Sequence, residues 1–523
     1  MHKIQMYLDY DSFNTFKTMN RRINIYEEAG HCLLCQDAPC TKVCKTGDPA
    51  RAIRAIRFGN EELAGRWLAE CTDADLDAAE VACIHFDRPI RIKEIAPLLS
   101  PPMGGRTAAP EASLAIDFCG IRCENPFFLA SSAVCTNYEM VARAFEAGWA
   151  GVFYKTICMQ EIREVSPRFD ACQQEGSSDF YAFRNMEQLS ENPVEMDFDI
   201  LHRLKQDYPS KVVVASIMGQ TEEQWIELAK MAEAAGVDAV ELNFSCPQMR
   251  LTGMGSDVGQ NPELVTFYTA FVKRSVSIPV IPKMTPNITH ITEPAMAVFF
   301  AGADGVSAIN TIKSVTMGER AEVSSRKTIS GLSGRAVKPI ALRHILEMAQ
   351  SPMINGSHGK KLDISGIGGI ETWKDALEFI QLGCRNVQVC TAVMQYGYRI
   401  IDDLILGMQH YLAERGITSL DSIVGEELPN FVTPTYLDRD TIVYPKIDRD
   451  KCIGCGRCYI SCMDGGHQAI AFERLRVGDE TSGITETRQP RIVGIKCVGC
   501  HLCRLVCPTG AIGTTKRVTR KQK

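Results

Sequence analysis

At 523 residues, with 45% hydrophobic and 23% charged side chains, the chain is long enough for two to four globular domains and has neither a disordered nor a fibrous composition. No apolar run approaches the roughly 18 residues of a membrane span, and the start, with Lys3, Asp9 and Asp11, lacks the apolar core of a signal peptide. A net charge of -6 gives no bulk affinity for nucleic acid, and 22 cysteines, most of them grouped at ligand spacing, point to a reducing, cytoplasmic setting in which thiolates meet metal.

The first landmark is Cys32, Cys35, Cys40 and Cys44, followed by a stretch that reads helical from Arg51 to Glu70 and by Cys71 and Cys83. Four cysteines in so short a run are expected to ligate metal, with iron and sulfur favoured by the clusters further on. From Leu98 to Pro110 proline, glycine and serine mark a linker, including Pro101, Pro102, Gly104 and Gly105.

Eight short apolar runs then alternate with helical patterns: Phe127 to Ala130, Val152 to Lys155, Val212 to Ile217, Ala239 to Asn243, Pro279 to Lys283, Gly305 to Asn310, Leu362 to Ser365 and Asn386 to Cys390. Helices are expected at Tyr138 to Ala147, Glu222 to Ala235, Pro262 to Arg274, Pro294 to Phe300, Pro339 to Met348 and Thr372 to Leu382. Continuous β-branched runs fit strands covered on both faces, so the fold class is α/β and the expected architecture a TIM (β/α)8 barrel. A doubly wound sheet is the alternative, but no dinucleotide fingerprint follows an early strand.

Barrel chemistry is built at the C-terminal strand ends, and polar residues collect there. Strand by strand these are Ser131-Ser132, Lys155-Thr156, Asn243 to Pro247 with Ser245 and Cys246 between, Lys283, Asn310-Thr311, the glycines at 366, 368 and 369, and Cys390-Thr391. Glycine-rich backbone after the last strands is the usual phosphate cradle, and Lys283 or Lys155 could stabilise negative charge on a reduced ring. Together they describe a flavin mononucleotide across the mouth.

Near the C-terminus Cys452, Cys455, Cys458 and Cys462 repeat as Cys497, Cys500, Cys503 and Cys507. This is the two-cluster ferredoxin run, in which the fourth cysteine crosses over. One [4Fe-4S] cluster is expected on Cys452, Cys455, Cys458 and Cys507, the other on Cys497, Cys500, Cys503 and Cys462. A pair of zinc sites would leave the third cysteine of each run without a role. Pro508 completes the second run, whereas Met463 replaces the proline of the first. The basic end, Lys516, Arg517, Arg520, Lys521 and Lys523, reads as solvated.

Ser166-Pro167-Arg168-Phe169, Asn185-Met186-Glu187, Asn243-Phe244-Ser245-Cys246-Pro247, Lys283-Met284-Thr285-Pro286-Asn287, Asn310-Thr311, the Gly366 to Gly369 turn and the twin ferredoxin runs carry a likeness over Leu114 to Gly513. The chain resembles the catalytic subunits of the bacterial dihydropyrimidine dehydrogenases, which are related to dihydroorotate dehydrogenases. Cys32-Leu33-Leu34-Cys35-Gln36-Asp37-Ala38-Pro39-Cys40 resembles the helical N-terminal iron-sulfur domain of the larger dihydropyrimidine dehydrogenases and of the glutamate synthase small subunit. The likeness implies domains at 1–110 (iron-sulfur segment and linker), 111–430 (FMN barrel) and 431–523 (2[4Fe-4S] ferredoxin-like). It implies pyrimidine binding by Asn185, Asn243, Ser245, Asn310 and Thr311, and cofactor binding by Ser131, Ser132, Lys155, Thr156, Lys283, Gly334, Gly368, Gly369, Cys390 and Thr391. Cys246 inherits the role of general acid, with Lys283 beside it in the catalytic set. A further [4Fe-4S] cluster falls on Cys32, Cys35, Cys40 and Cys83. Cys44 and Cys71 lack the paired cysteines that a second N-terminal cluster would need.

The activity so implied is reduction of uracil or thymine to the 5,6-dihydro form, with hydride from the flavin and a proton from Cys246. Electrons would arrive through the clusters from a second subunit carrying FAD and NADH, or from a ferredoxin, within a hetero-oligomer. A dihydroorotate-type oxidoreductase and an electron-transfer subunit without its own substrate are the competing readings.

Overall fold

The computed structural model describes residues 23–85, 88–99, 112–173, 180–247, 249, 253–317, 326–357, 359, 361–477 and 485–520. The first residues of the chain, most of the Leu98 to Pro110 linker, and Lys521 and Lys523 of the basic end lie outside them. The described chain forms two compact units, one running from Cys32 to Phe431, the other taking the chain from Val432 onward with the residues before Cys32.

All eight apolar runs are strands of one closed parallel barrel. They are β1 (Phe127–Leu129), β2 (Gly151–Phe153), β3 (Val212–Ile217), β4 (Ala239–Asn243), β5 (Val280–Lys283), β6 (Gly305–Ala308), β7 (Asp363–Ile367) and β8 (Cys384–Val389). Each pairs with the next, and β8 closes on β1 through Val387 and Phe127. Every residue of β3 is buried, as expected of a strand with side chains packed inside and helices outside. The expected helices form, and their starts are chemically marked. Asn137 caps Tyr138–Ala147, Thr221 caps Glu222–Ala234, and Thr372 with Asp375 makes a reciprocal capping box on Trp373–Gln381. Val194–Asp207 and Ile400–Glu414 supply two further outer helices.

Two features depart from the sequence reading. The helix expected from Arg51 to Glu70 is two helices, Pro49–Arg57 and Glu61–Ala69, broken at Gly59 with φ of +81°. Tertiary contacts account for the break. The Gly59 carbonyl accepts from Trp373 Nε1 at 3.2 Å, and Asn60 Nδ2 donates to the Asp403 carbonyl at 2.9 Å, both on the barrel. The second departure is a four-stranded antiparallel sheet of Ile312–Ser314, Ser330–Ser333, Phe180–Asn185 and Phe169–Gln173, built from insertions after β2 and β6. Fully buried Arg184 pins it, donating to Ser330 Oγ (2.8 Å) and the Thr328 carbonyl (3.0 Å) and pairing with Asp170 at 3.4 Å. A buried guanidinium is tolerable because its fork finds these partners.

Among the described residues the second unit has three two-stranded ribbons: Thr441–Ile442 with Val518–Thr519, Pro445–Ile447 with Ile512–Thr514, and Ile470–Val477 with Thr485–Ile492. Its buried centre is small and rich in cysteine, comprising Cys458, Cys462, Ala469, Ile470, Cys503 and Ile512.

Candidate active site and cysteine cavities

The strand ends and the antiparallel sheet enclose a cavity of about 1040 Å³ at the mouth of the barrel. Fifteen of the mouth residues expected from sequence line it, namely Ser131, Ser132, Lys155, Thr156, Asn185, Asn243, Cys246, Lys283, Asn310, Thr311, Gly334, Gly368, Gly369, Cys390 and Thr391. Ser245 does not line it; it is fully buried behind the wall, where it links Asn243 to Asn310.

That link belongs to a longer relay. The Thr311 N–H donates to Asn310 Oδ1 (2.8 Å), Asn310 Nδ2 to Ser245 Oγ (2.9 Å), Ser245 Oγ to Asn243 Oδ1 (2.9 Å) and Asn243 Nδ2 to Thr156 Oγ1 (2.9 Å). Thr156 Oγ1 lies 2.9 Å from Ser216 Oγ, which donates to the buried Glu241 carboxylate at 2.9 Å, so the Thr156 hydroxyl must donate to Ser216. Glu241 also accepts from Ser307 Oγ at 2.7 Å and sits 3.4 Å from Lys283 Nζ. Both amides are thereby fixed in orientation, and each keeps one N–H for a ligand.

Lys155, the other candidate ammonium, pairs with Glu187 at 2.8 Å, and Arg168 approaches the same carboxylate at 3.1 Å. Burial opposes ionisation of Glu187, but Lys155 and then Arg168 outweigh it and hold its pKa below the ordinary value. The Lys155 charge is thus closely matched by an anion, and Lys283 has the looser partner. Burial pushes the Cys390 thiol up, so it is neutral where it lines the cavity.

Cys246 is 5% exposed on the loop leaving β4. Its carbonyl accepts from Ser256 N at 3.0 Å. Two glycines allow that close return. A Cβ on Gly255 would stand 2.4 Å from the Cys246 carbonyl oxygen, and one on Gly259 2.0 Å from that of Phe244. Opposite, Gly334, Gly368 and Gly369 all have positive φ. A Cβ on Gly369 would stand 2.8 Å from the Gly334 carbonyl and 2.9 Å from the Lys338 nitrogen, where the uncapped helix Lys338–Gln350 begins. A glycine cradle at a helix start is suited to a phosphate. Ser333 and Thr391 share a hydrogen bond of 2.9 Å beside it. Gln388 also lines the cavity, with Nε2 on Ser365 Oγ at 2.9 Å and a buried Oε1 without a protein partner. The glycine cradle, the lysine and this unmatched acceptor fit a flavin mononucleotide. Glu241, Gln388 and Ser333 were not singled out from sequence. The available signal was a charged or amide residue inside an otherwise apolar strand at Glu241 and Gln388.

Twelve of the cysteines line three further cavities. Cys452, Cys455, Cys458 and Cys507 line one of about 330 Å³, and Cys462, Cys497, Cys500 and Cys503 line one of about 340 Å³, the crossed-over grouping expected from spacing. Cys32, Cys35, Cys40 and Cys83 share a third within the first unit. Burial, then neighbouring Cys32, Cys83 and Cys35, push the Cys40 thiol up to about 11. Burial and then Cys458, with Cys462 and Cys497 further down, do the same to Cys503. Crowded thiols that resist ionising alone are what a bound cation cluster relieves. Among the described residues no three His, Cys, Asp or Glu side chains close on a single-ion position. Cys44 and Cys71 stay outside the third cavity, with Cys44 Sγ turned to the Cys40 carbonyl at 3.1 Å.

Among known proteins, the dihydroorotate dehydrogenase family matches residues 113–412 and the 4Fe-4S dicluster domain residues 445–514. The NAD-dependent dihydropyrimidine dehydrogenase subunit PreA of Escherichia coli K12 is 52% identical over 365 residues, covering 69% of this chain and 87% of that protein. The chloroplastic dihydropyrimidine dehydrogenase (NADP(+)) of Arabidopsis thaliana is 36% identical over 63% of this chain and 80% of its own length. The catalytic subunit of dihydroorotate dehydrogenase B (NAD(+)) from Pyrococcus abyssi is 37% identical over 60% of this chain and 98% of its own length.

Proposed function

The chain belongs to the dihydroorotate dehydrogenase family of oxidoreductases, and from that premise we propose that it reduces the 5,6 double bond of uracil or thymine. The observation that carries this reading is the relay from Thr311 to Glu241, which presents oriented amides beside Cys246.

A flavin mononucleotide bound at the mouth supplies the hydride. Gly334, Gly368, Gly369 and Thr391 hold its phosphate, Ser131, Ser132, Lys155, Thr156 and Cys390 line its bed, and Lys283 balances negative charge at the ring. The free N–H groups of Asn243 and Asn310, with Asn185 and Thr311, bind the carbonyls of the pyrimidine. Cys246 gives its thiol proton to C5, and its deep burial keeps water from competing for that position. Cys452, Cys455, Cys458 and Cys507, Cys462, Cys497, Cys500 and Cys503, and Cys32, Cys35, Cys40 and Cys83 would each hold a [4Fe-4S] cluster, and these clusters would supply the electrons. Their source is an FAD- and NADH-binding partner subunit or a ferredoxin, since this chain carries no dinucleotide fingerprint.

A dihydroorotate substrate is less well served. Its carboxylate needs a cation, and the lysines lining the cavity, Lys155 and Lys283, each face a buried carboxylate already.

The test is Cys246→Ala in the full chain, assayed anaerobically on uracil with a chemical electron donor. Turnover should fall by about 10²- to 10⁴-fold, as for loss of a general acid, with flavin and iron content unchanged. Parental turnover would assign the proton to another residue. Reduction of the isolated chain by NADH alone would remove the need for a partner.

A further inference from the structure

The reading that Cys32, Cys35, Cys40 and Cys83 hold a cluster leaves open what shapes that site. The Cys-x-x-Cys loop contains a leucine in the left-handed region, Leu34 with φ of +51°. For a residue with a Cβ this conformation is strained. The barrel reaches into this loop. Arg399, just beyond the helix Thr391–Tyr396, donates from NH2 to the Leu34 carbonyl at 2.5 Å and from NH1 to the Cys35 carbonyl at 3.4 Å, and it lines the cysteine cavity. Arg57 donates to the Cys32 carbonyl at 3.1 Å and lies over the Tyr396 ring at 5.1 Å.

We propose that Arg399 is a positioning residue of the barrel that clamps the Leu34 loop and raises the reduction potential of the cluster held there. The guanidinium fork fixes two successive carbonyls, which a point charge could not do equally well. Its positive charge, at the wall of the cysteine cavity, favours the reduced, more negative state of the cluster. The location gives the effect a use. Met394 lines the mouth cavity and Arg399 the cysteine cavity, and they are five residue steps apart, at most about 18 Å of backbone. The two cavities thus border the same short stretch of chain.

The test uses the full chain, purified anaerobically, with iron and flavin quantification and a redox titration followed by electron paramagnetic resonance. Cys35→Ser should remove one cluster from the iron count; an unchanged count would refute the cluster itself, separately from the role of Arg399. Arg399→Gln should lower the midpoint potential of the N-terminal cluster and weaken its iron retention, with flavin at the parental level. Arg399→Lys should give a smaller shift. Leu34→Gly alone should stay near the parent, since relief of the left-handed strain offsets lost packing of a half-buried leucine, and in the Arg399→Gln background it should restore iron. Parental iron and midpoint in Arg399→Gln would overturn the proposal. So would additive losses in the double variant, or loss of flavin together with iron.

Discussion

Gly454 (φ +67°) and Gly499 (φ +70°) stand one residue before Cys455 and Cys500; Leu34 stands one residue before Cys35, in the same left-handed region. The C-terminal loops repeat the turn just after the second cysteine, at Gly456 (φ +75°) and His501 (φ +60°). Successive backbone N–H groups turned in this way form a concave nest for an anionic group. The C-terminal loops reach that shape mainly with glycine, which adopts it without steric cost. The N-terminal loop reaches it with leucine and a guanidinium from the barrel. One kind of loop is encoded locally, the other depends on tertiary contact.

The largest effect that tests this contrast is expected from Gly499→Ala. The added Cβ would meet the Val443 carbonyl at 2.6 Å in a backbone that disfavours it, so the cluster on Cys497, Cys500, Cys503 and Cys462 should be lost while the N-terminal signal persists. Retention of all iron would show that glycine is not what shapes the C-terminal loops. Next comes Gly407→Ala, where a Cβ would stand 2.0 Å from Trp373 Cδ1 and 2.4 Å from Asn60 Oδ1. Overpacking of about 1–3 kcal/mol should lower the thermal midpoint and loosen the N-terminal segment, read as faster iron release from that cavity only. Equal release from all sites would break the claimed dependence on the barrel. The smallest effect concerns chelation in the parent. Cys455 and Cys500 are exposed, whereas the N-terminal four are half-buried, so a chelator should strip C-terminal iron first, by a few-fold in rate.

The sequence was most readable where chemistry needs spacing or periodicity. The barrel strands announced themselves as apolar runs, and the crossed-over cysteine grouping followed from two matching spacings. The antiparallel sheet was not readable, because its strands are short, separated by long stretches of sequence, and joined around Arg184, whose partners Ser330 and Asp170 lie on two of its other strands. The break at Gly59 and the turn at Leu34 were hidden for a related reason. Their causes, Trp373 and Arg399, sit more than three hundred residues away. Fifteen mouth residues were foreseen, but not the relay that joins several of them. Ser216 and Glu241 sit within apolar strands and carry no motif of their own.

The relay from Thr311 to Glu241 has a sense as well as a course. Every hydroxyl and amide along it hands its proton toward the buried carboxylate, so what remains facing the mouth from Asn310 and Asn243 is N–H. Glu241, which touches no part of the cavity, thus sets the vocabulary of the opening: it asks for acceptors. A ring with carbonyls in both flanking positions answers it. One that offers an amino group in place of a carbonyl sets donor against donor and is left with a buried hydrogen unmatched.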